Sequence, residues 1–426
     1  MKKKILLVEP NFPIPSKSKN HKNFLPIGLL KLASYYRDQG HKIKLVRGNL
    51  KLEDFDFKPD MIEITSLFTY WAPYVRDSVF YYRKMFPTAK ITVGGIYASL
   101  MSDHCKKYTK CDEVYRGVNT EAEKCYPAYD LITNQNPHPL DYQIIHSSRG
   151  CLRKCNFCGT WIIEPKFKAK KSIKDEINKR NIVFYDNNLL NNPNMENILK
   201  ELIELKKKKK ILWCESQSGF DGRLLIKKPY LAKMLKQAGF RYPRIAWDWG
   251  LNEFDKIKRQ IDILVEGGYK YNDIFIFMIY NWKIFFDEME EKRIKCWEWK
   301  TQISDCRFRP LDQTFDYFNS KKSQTSEDYF IHPNWTDKLV KQFRKNVREQ
   351  NICIRQGLAF YSKTFEHMKT NKNTIYKTKT MPRDKVEKYL KKLKIDYWFP
   401  DDVRYPDDEL KLTCVEYEQI KKVIGR

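Results

Sequence analysis

Ser148-Arg149-Gly150-Cys151-Leu152-Arg153-Lys154-Cys155-Asn156-Phe157-Cys158-Gly159-Thr160 is the stretch around which the rest of this chain is organised. It follows a strand-like apolar run, Tyr142-Gln143-Ile144-Ile145, and carries three cysteines in the spacing C-x3-C-x2-C. Three thiolates this close in sequence can bind one face of an iron–sulfur cube and leave one iron without a protein ligand. An iron with an open position can bind and activate a small molecule.

Three other kinds of site use loop cysteines. A structural zinc knuckle has four ligands, usually in C-x2-C pairs, and Cys155 and Cys158 form one such pair. A ferredoxin-like electron carrier needs a fourth cysteine close by, whereas the next one here is Cys214. A disulfide framework fits poorly, because the chain has 11 cysteines, an odd number.

The loop resembles the cluster loop of the radical S-adenosylmethionine (radical SAM) enzymes, and Phe157 lies where that family usually carries an aromatic residue. The resemblance covers roughly residues 140 to 310. It implies that Cys151, Cys155 and Cys158 hold a 4Fe-4S cluster whose open iron chelates the amino and carboxylate groups of S-adenosylmethionine. An electron from the cluster would then break a carbon–sulfur bond. The reaction implies a reducing partner such as a flavodoxin or a ferredoxin.

Length and composition indicate a folded protein of two or three domains, with 426 residues, 42% of them hydrophobic and 14% aromatic. The formal net charge of +27 suits a polyanionic partner such as RNA, or simply reflects a lysine-rich proteome. The apolar start of the chain is too short for a signal peptide, and no stretch approaches the length of a membrane helix. We therefore expect a cytoplasmic location and no membrane partner.

Residues 1–135 are predicted to form a Rossmann-like, doubly wound parallel sheet, because short apolar strands alternate there with helices. The predicted strands are Ile5 to Val8, Ile43 to Val46, Met61 to Thr65, Ile91 to Val93 and Glu113 to Tyr115. The predicted helices include Ile27 to Asp38 and Ala72 to Met85. Ligands of such sheets bind at the carboxyl ends of the strands.

This pattern is similar to the cobalamin-binding domain that precedes many radical SAM domains. Ser66-Leu67 matches its S-x-L element, and Gly94-Gly95 matches the G-G element whose missing side chains open a slot for the corrin. The family's D-x-H-x-x-G motif is absent, since the first loop has only His21, and the resemblance therefore implies cobalamin bound without a histidine ligand. Alternatively, Ser66, Gly94 and Gly95 are ordinary strand-end and turn residues.

Residues 136–315 are predicted to form a partial (β/α)6 barrel with its active face at the carboxyl ends of the strands. Polar or aromatic residues recur at those ends, namely Asp186, Asn187, Asn188, Gln217, Asp248 and Tyr280. By the resemblance, Asp186 to Asn188 would bind the methionine amino group, which short carboxylate and amide side chains can do. Each residue taken singly also suits a cap or a turn.

The segment Asp305-Cys306-Arg307-Phe308-Arg309-Pro310 is predicted to close the far edge of the barrel. Arg307 and Arg309 would share one face of a strand and suit a carboxylate or phosphate of the substrate. The alternative is a salt-bridged surface strand. We take Tyr280, Asp305, Arg307 and Arg309 as the catalytic candidates. Residues 316–426 are predicted to be a mainly helical, family-specific region.

These features together favour a radical SAM enzyme, and in particular a cobalamin-dependent methyltransferase that acts at an unactivated carbon of a small molecule, peptide or RNA. One alternative is a cobalamin-free radical SAM enzyme that catalyses a rearrangement, an oxidation or an RNA or peptide modification. The other is an RNA-binding protein with a structural metal knuckle.

Overall fold

The computed structural model describes residues 2–14, 24–54, 56–133, 140–366 and 381–406. The strands are β1 (Lys4–Glu9), β2 (Lys42–Arg47), β3 (Met61–Ser66), β4 (Lys90–Gly95), β5 (Glu113–Val114), β6 (Tyr142–Ile145), β7 (Ser148–Arg149), β8 (Lys168–Ala169), β9 (Asn181–Phe184), β10 (Trp213–Ser216), β11 (Arg244–Ala246), β12 (Phe275–Tyr280) and β13 (Gln302–Arg307). The helices are α1 (Ile27–Asp38), α2 (Ala72–Met85), α3 (Ile96–Leu100), α4 (Ser102–Thr109), α5 (Asp130–Thr133), α6 (Thr160–Ile163), α7 (Met195–Lys207), α8 (Gly222–Lys227), α9 (Tyr230–Gln237), α10 (Phe254–Glu266), α11 (Phe286–Glu298), α12 (Asp337–Gln356), α13 (Lys363–Glu366) and α14 (Arg383–Lys392).

The N-terminal sheet is parallel, with strand order β2-β1-β3-β4-β5. Both faces of β1 are covered, because Leu6 and Val8 belong to one hydrophobic cluster while Ile5 and Leu7 belong to another that includes α1. The chain steps from β1 to β2 on one side and continues with β3 on the other. The predicted mixed α/β fold with a parallel sheet is thus confirmed.

Local periodicity located the N-terminal elements closely. Helices α1 and α2 have the predicted bounds, and each places its apolar residues on the face that packs against the sheet. Farther along, the apolar run from Ile211 to Cys214 predicts a strand, but β10 begins two residues later than this prediction, at Trp213. Ile211 is buried in the core, but it precedes the first residue of β10 that pairs with β9. An apolar residue that is buried outside the strand therefore made the predicted start too early.

The second region contains two parallel three-stranded sheets, β6-β9-β10 and β11-β12-β13, each in chain order. A parallel bridge between Cys214 and Phe240 connects the end of the first sheet with the segment that leads to the second. Within each sheet the three strands run in one direction, so their carboxyl ends lie at the same edge of that sheet.

Helix α12 extends the core of the second region. Thr336 caps its N-terminus by accepting the backbone N–H of Leu339 at 3.2 Å, and Gly357 ends it in the left-handed conformation at φ 65°. Its Val340 and Phe343 belong to the same hydrophobic cluster as β12. Within the described ranges, none of the helices is both long and apolar enough to cross a membrane.

Candidate functional site

Gly150 lies between β7 and the first cysteine of the loop, and no other residue could replace it without backbone strain. Gly150 has φ +78°, and a Cβ on it would lie 2.8 Å from the carbonyl oxygen of Lys166. At the far end of the loop, a Cβ on Gly159 would lie 3.0 Å from the side chain of Leu100 in α3. The loop is therefore packed against both the second region and the N-terminal domain.

The thiols of Cys151, Cys155 and Cys158 are free and only partly buried. Burial raises the pKa of Cys151 and of Cys155, and the neighbouring Cys158 thiol raises both further. The backbone N–H of Arg153 donates to Cys151 Sγ at 3.4 Å. The three sulfur atoms thus share one electrostatic environment and are open to a ligand.

A single metal ion needs its ligands around one centre. Among the residues that the structure describes, no three His, Cys, Asp or Glu side chains are grouped so that they could hold a metal ion.

An aromatic wall stands beside the loop. The Phe157 ring meets Trp282 edge to face, with the ring centroids 5.2 Å apart, and its centroid lies 6.1 Å from that of Trp249. Trp282 in turn stacks on Phe308, centroid to centroid 5.3 Å. The structure therefore brings Phe157 together with aromatic residues that follow three different strands.

A cavity of about 250 Å³ adjoins this wall and lies between the N-terminal domain and the second region. Phe68 and Tyr70 line it from the N-terminal side, and Phe157, Cys306 and Arg309 line it from the other. Cys306 was missed in the sequence analysis, although it adjoins the predicted residue Asp305.

Asp186 does not extend into open space. Its carboxylate is buried and accepts the backbone N–H groups of Ser147 (3.0 Å) and Ser148 (2.6 Å). It also accepts both serine hydroxyl groups, at 2.6 and 2.7 Å. The predicted contact with a methionine amino group would have to compete with these four hydrogen bonds.

The other predicted polar residues at the β9 and β10 tips also bond within the protein. Asn187 Nδ2 donates to Glu164 Oε2 at 3.2 Å. Asn188 Nδ2 donates to Asp221 at 3.1 Å. Gln217 Nε2 donates to Glu215 Oε1 at 3.2 Å. The contacts of Asn187 and Asn188 join segments distant in sequence, whereas that of Gln217 is local.

Asp248 is a predicted carboxylate whose charge acts on the cysteine loop. Burial raises its pKa to about 6, while the nearby Lys292 and Arg223 oppose that rise. Its charge in turn raises the pKa of Cys155 and of Cys306. The Lys292 ammonium donates to the carbonyl oxygens of Trp247 (2.8 Å) and Trp249 (2.7 Å) and so fixes the backbone on both sides of Asp248.

Two of the catalytic candidates pack on the helix layer. Tyr280 is 1% exposed and packs on Phe343 of α12, with the ring centroids 5.2 Å apart. Burial raises the pKa of Asp305 to about 6, and the charge that opposes the rise is that of Arg344, also on α12. Side chains alternate along a strand, so Cys306 points the other way, towards the cavity. This placement argues against a catalytic contact for Tyr280 and Asp305.

The two predicted substrate-binding arginines share an acidic partner of the chain itself. Arg307 Nη2 and Arg309 Nε each lie 2.6 Å from Asp316 Oδ2. The prediction that both lie on one strand is wrong, because β13 ends at Arg307. Arg309 follows the strand, and its guanidinium group lies over the Tyr70 ring, 4.5 Å from the centroid.

A larger cavity of about 490 Å³ lies over the N-terminal sheet, and Ser66, Gly94 and Gly95 all line it. His146 and Arg149, which flank the start of the cysteine loop, line it as well. Among the described residues, His146 Nδ1 and Arg149 Nε are buried without a hydrogen-bond partner. Buried polar atoms are rarely left so, and these two mark the cavity as a place for an occupant with hydrogen-bond acceptors.

The three predicted slot residues differ in what they do. The Ser66 hydroxyl donates to the carbonyl of Gly94 at 2.8 Å and accepts the N–H of Ala98 at 3.1 Å, which caps α3. Gly95 has φ +101°, and a Cβ there would lie 2.1 Å from the Ser66 carbonyl oxygen. A Cβ on Gly94 would make only an ordinary contact, 3.7 Å from Tyr115 Cβ. Gly94 is therefore the position where a missing side chain leaves space.

A comparison with models of known protein families finds no match, and neither does a comparison with curated proteins.

Proposed function

We propose that this protein is a radical SAM enzyme in which Cys151, Cys155 and Cys158 hold a 4Fe-4S cluster. The observation that carries the proposal is the loop itself. It presents three free, partly exposed thiols in one electrostatic environment, beside the Asp248 carboxylate and the aromatic wall.

The donor set fits a four-iron cluster. In a cube each thiolate bonds a different iron, so the sulfur atoms need not converge on one centre, and three thiols leave one iron open. The cluster supplies an electron to S-adenosylmethionine. The chain's own residues would do the rest: Asp248 can accept hydrogen bonds from an ammonium group, and Phe157, Trp249 and Trp282 keep water from the reaction space.

The architecture proposed with this function is a Rossmann-like domain followed by a partial (β/α)6 barrel. The strand order β2-β1-β3-β4-β5 supports the Rossmann-like domain, because the order reverses at β1 and β3 as it does in doubly wound sheets. Ligands of such sheets bind at that reversal. Two parallel sheets in chain order, linked by the Cys214–Phe240 bridge, support the second.

Cobalamin-dependent methyl transfer is the more specific form of the proposal. The cavity lined by Ser66 and Gly94 has apolar walls, and two buried nitrogen atoms of its lining residues, His146 Nδ1 and Arg149 Nε, have no hydrogen-bond partner within the described structure, with Glu123 Oε1 3.6 Å from the former. This cavity suits an occupant that carries both a flat ring and acceptor oxygens. The nucleotide tail of a corrin contains both groups. Gly94 would make room for the ring, and His146 and Arg149 would donate to the acceptors. We propose a flavodoxin or ferredoxin as the electron donor, in the cytoplasm.

The test is the metal and sulfide content of protein purified without oxygen. We expect about four iron and four sulfide per chain, and release of 5'-deoxyadenosine or S-adenosylhomocysteine after reduction with dithionite. The triple change of Cys151, Cys155 and Cys158 to Ala should remove the iron. The matched changes Cys296→Ala and Cys353→Ala, at buried thiols elsewhere, should spare it. Zinc without sulfide, or iron retained by the triple variant, would refute the proposal in favour of a structural metal knuckle.

A further inference from the structure

The three residues at the tip of β9 are connected to the cysteine loop in different ways: Asp186 bonds its approach directly, whereas Asn187 and Asn188 bond acidic side chains that in turn bond the loop. Asp186 accepts four hydrogen bonds from Ser147 and Ser148, directly before the loop. All four come from two consecutive residues, and Asp186 as a whole residue is 1% exposed. The path of the chain into the loop is therefore fixed from the neighbouring strand.

Asn187 acts through Glu164. It donates to Glu164 Oε2 at 3.2 Å, and the same oxygen accepts the backbone N–H of Gly150 at 2.6 Å. Glu164 Oε1 accepts from Arg149 at 2.7 Å. Asn187 thereby holds the residue that binds the turn immediately before Cys151.

Asn188 acts through Asp221. It donates to Asp221 Oδ2 at 3.1 Å, and that oxygen accepts from Arg153 Nε at 3.0 Å. Arg153 lies between Cys151 and Cys155 in the sequence, and the Asp221 side chain is 3% exposed. The contact between Arg153 and Asp221 fixes the middle of the loop. In addition, the hydroxyl of Ser218, which follows β10, donates to the Asp186 carbonyl oxygen.

We infer that Asp186, Asn187 and Asn188 are positioning residues for the cysteine loop, and that they are not the contacts for the cationic end of S-adenosylmethionine. They hold the loop at its approach, at its first turn and between its first two cysteines. The spacing of the three sulfur atoms then depends on the β9 tip. Of the predicted carboxylates, Asp248 is left to receive the ammonium group.

Hydrogen exchange of the iron-free full chain tests the inference independently of any cluster. In Asp186→Asn the amide NH2 group would replace one of the two acceptor oxygens and face a backbone N–H donor of Ser147 or Ser148, so we expect the amides of residues 147–153 to exchange about tenfold faster or more. Asn188→Ala, at a partly exposed position, should speed exchange around Arg153. It tests the inference even if the Asp186 variant fails to fold. The matched controls Asp175→Asn and Asn178→Ala, at exposed positions, should leave the loop unchanged.

A second measurement rests on the proposed function and uses the reconstituted cluster. We expect both variants to bind iron but to change the electron paramagnetic resonance spectrum of the reduced cluster, which a purely structural effect elsewhere would not do. The double variant Asp186→Asn with Ser148→Ala should change the spectrum little more than Asp186→Asn alone does, because the two residues act as one contact.

The outcomes separate the two claims. Wild-type protein that assembles no cluster refutes the proposed function, while exchange in the iron-free chain still decides the inference. Unchanged exchange and an unchanged spectrum in both variants overturn the inference. So does a tenfold or greater loss of S-adenosylmethionine affinity with normal exchange, since the residues would then contact the cosubstrate directly.

Discussion

The guanidinium group of Arg309 lies over the ring of Tyr70, 4.5 Å from its centroid, and joins the segment after β13 to the segment after β3. Both residues line the smaller cavity. The contact therefore connects the N-terminal domain and the second region beside that cavity. Arg309 also bonds Asp316, so its position is set by a negative charge on one side and an aromatic face on the other.

A double-mutant cycle should detect this bridge. We expect Tyr70→Leu and Arg309→Met to be coupled by roughly 0.5–2 kcal/mol in thermal unfolding, as for a cation held over an aromatic face. Asp316 keeps Arg307 as its partner in the Arg309 variant, so no carboxylate is left unpaired. Strictly additive effects would show that the two side chains are only neighbours.

Asp248→Asn should weaken the binding of S-adenosylmethionine. Losing one charge-assisted hydrogen bond costs roughly 1.5–3 kcal/mol, which corresponds to about tenfold or more in affinity. Calorimetric titration of the reconstituted protein measures it, with Asp175→Asn, at an exposed aspartate, as the control. Undiminished affinity in Asp248→Asn would mean that another group receives the ammonium.

The two adjacent glycines should respond differently to substitution. Gly94→Leu should abolish uptake of hydroxocobalamin while the fold and the iron content persist, because its side chain would enter the cavity. Gly95→Ala should destabilise the fold itself, because its Cβ would lie 2.1 Å from the Ser66 carbonyl oxygen.

Wild-type protein should hold about one corrin per chain, with an absorption spectrum typical of the histidine-off form. His21, the only histidine of the first loop, lies outside the described residues, and His21→Ala should leave that spectrum unchanged. If wild-type protein takes up no corrin in excess hydroxocobalamin, the cobalamin-free form of the enzyme is the better proposal.

Glu63 should make stability depend on pH. Burial is the main cause that raises its pKa from 4.5 to about 7. Between these values the unfolded chain has released the proton and the folded chain still holds it, so stability falls as pH rises from 4.5 to 7. Glu63→Gln removes this loss of stability, which is on the order of 3 kcal/mol well above pH 7. Its melting temperature should therefore exceed that of wild type at pH 8 and match it near pH 4.5.

Calorimetry across pH 4.5 to 8 checks this, with Glu53→Gln as the matched control at an exposed position. The difference between the control and wild type should stay constant with pH. A constant difference for Glu63→Gln as well would show that this carboxyl ionises normally in the folded protein. The Tyr36 hydroxyl, which donates to Glu63 at 3.4 Å, keeps an acceptor in the variant.

Much of the fold followed from local sequence. Short strand-like runs of three to five residues, separated by amphipathic helices, were enough to locate β1 to β5, and helical periodicity gave α1 and α2 their bounds. The error at β10 arose because Ile211 is buried without being part of the strand. Periodicity reports which residues are buried, and a strand begins where its backbone pairs with a neighbour.

The candidate site was predictable only in part. The cysteine spacing and Phe157 could be read directly, because their arrangement is local. Cys306 was overlooked in favour of Asp305, since the sequence does not say which face of β13 is turned towards the cavity. Phe343 and Arg344 decide that question, and they come from α12, more than 30 residues later in the chain.

The sequence by itself determined the alternation of strands and helices, the three-cysteine loop and the polar character of the strand tips, because each depends on residues within a few positions of one another. Only the tertiary structure decided what those tips bond to. Asp186 and Asn188 bind Ser147 and Asp221, between 33 and 39 residues away in sequence. Such contacts depend on which strands become neighbours and in what register, and local propensity does not encode that choice.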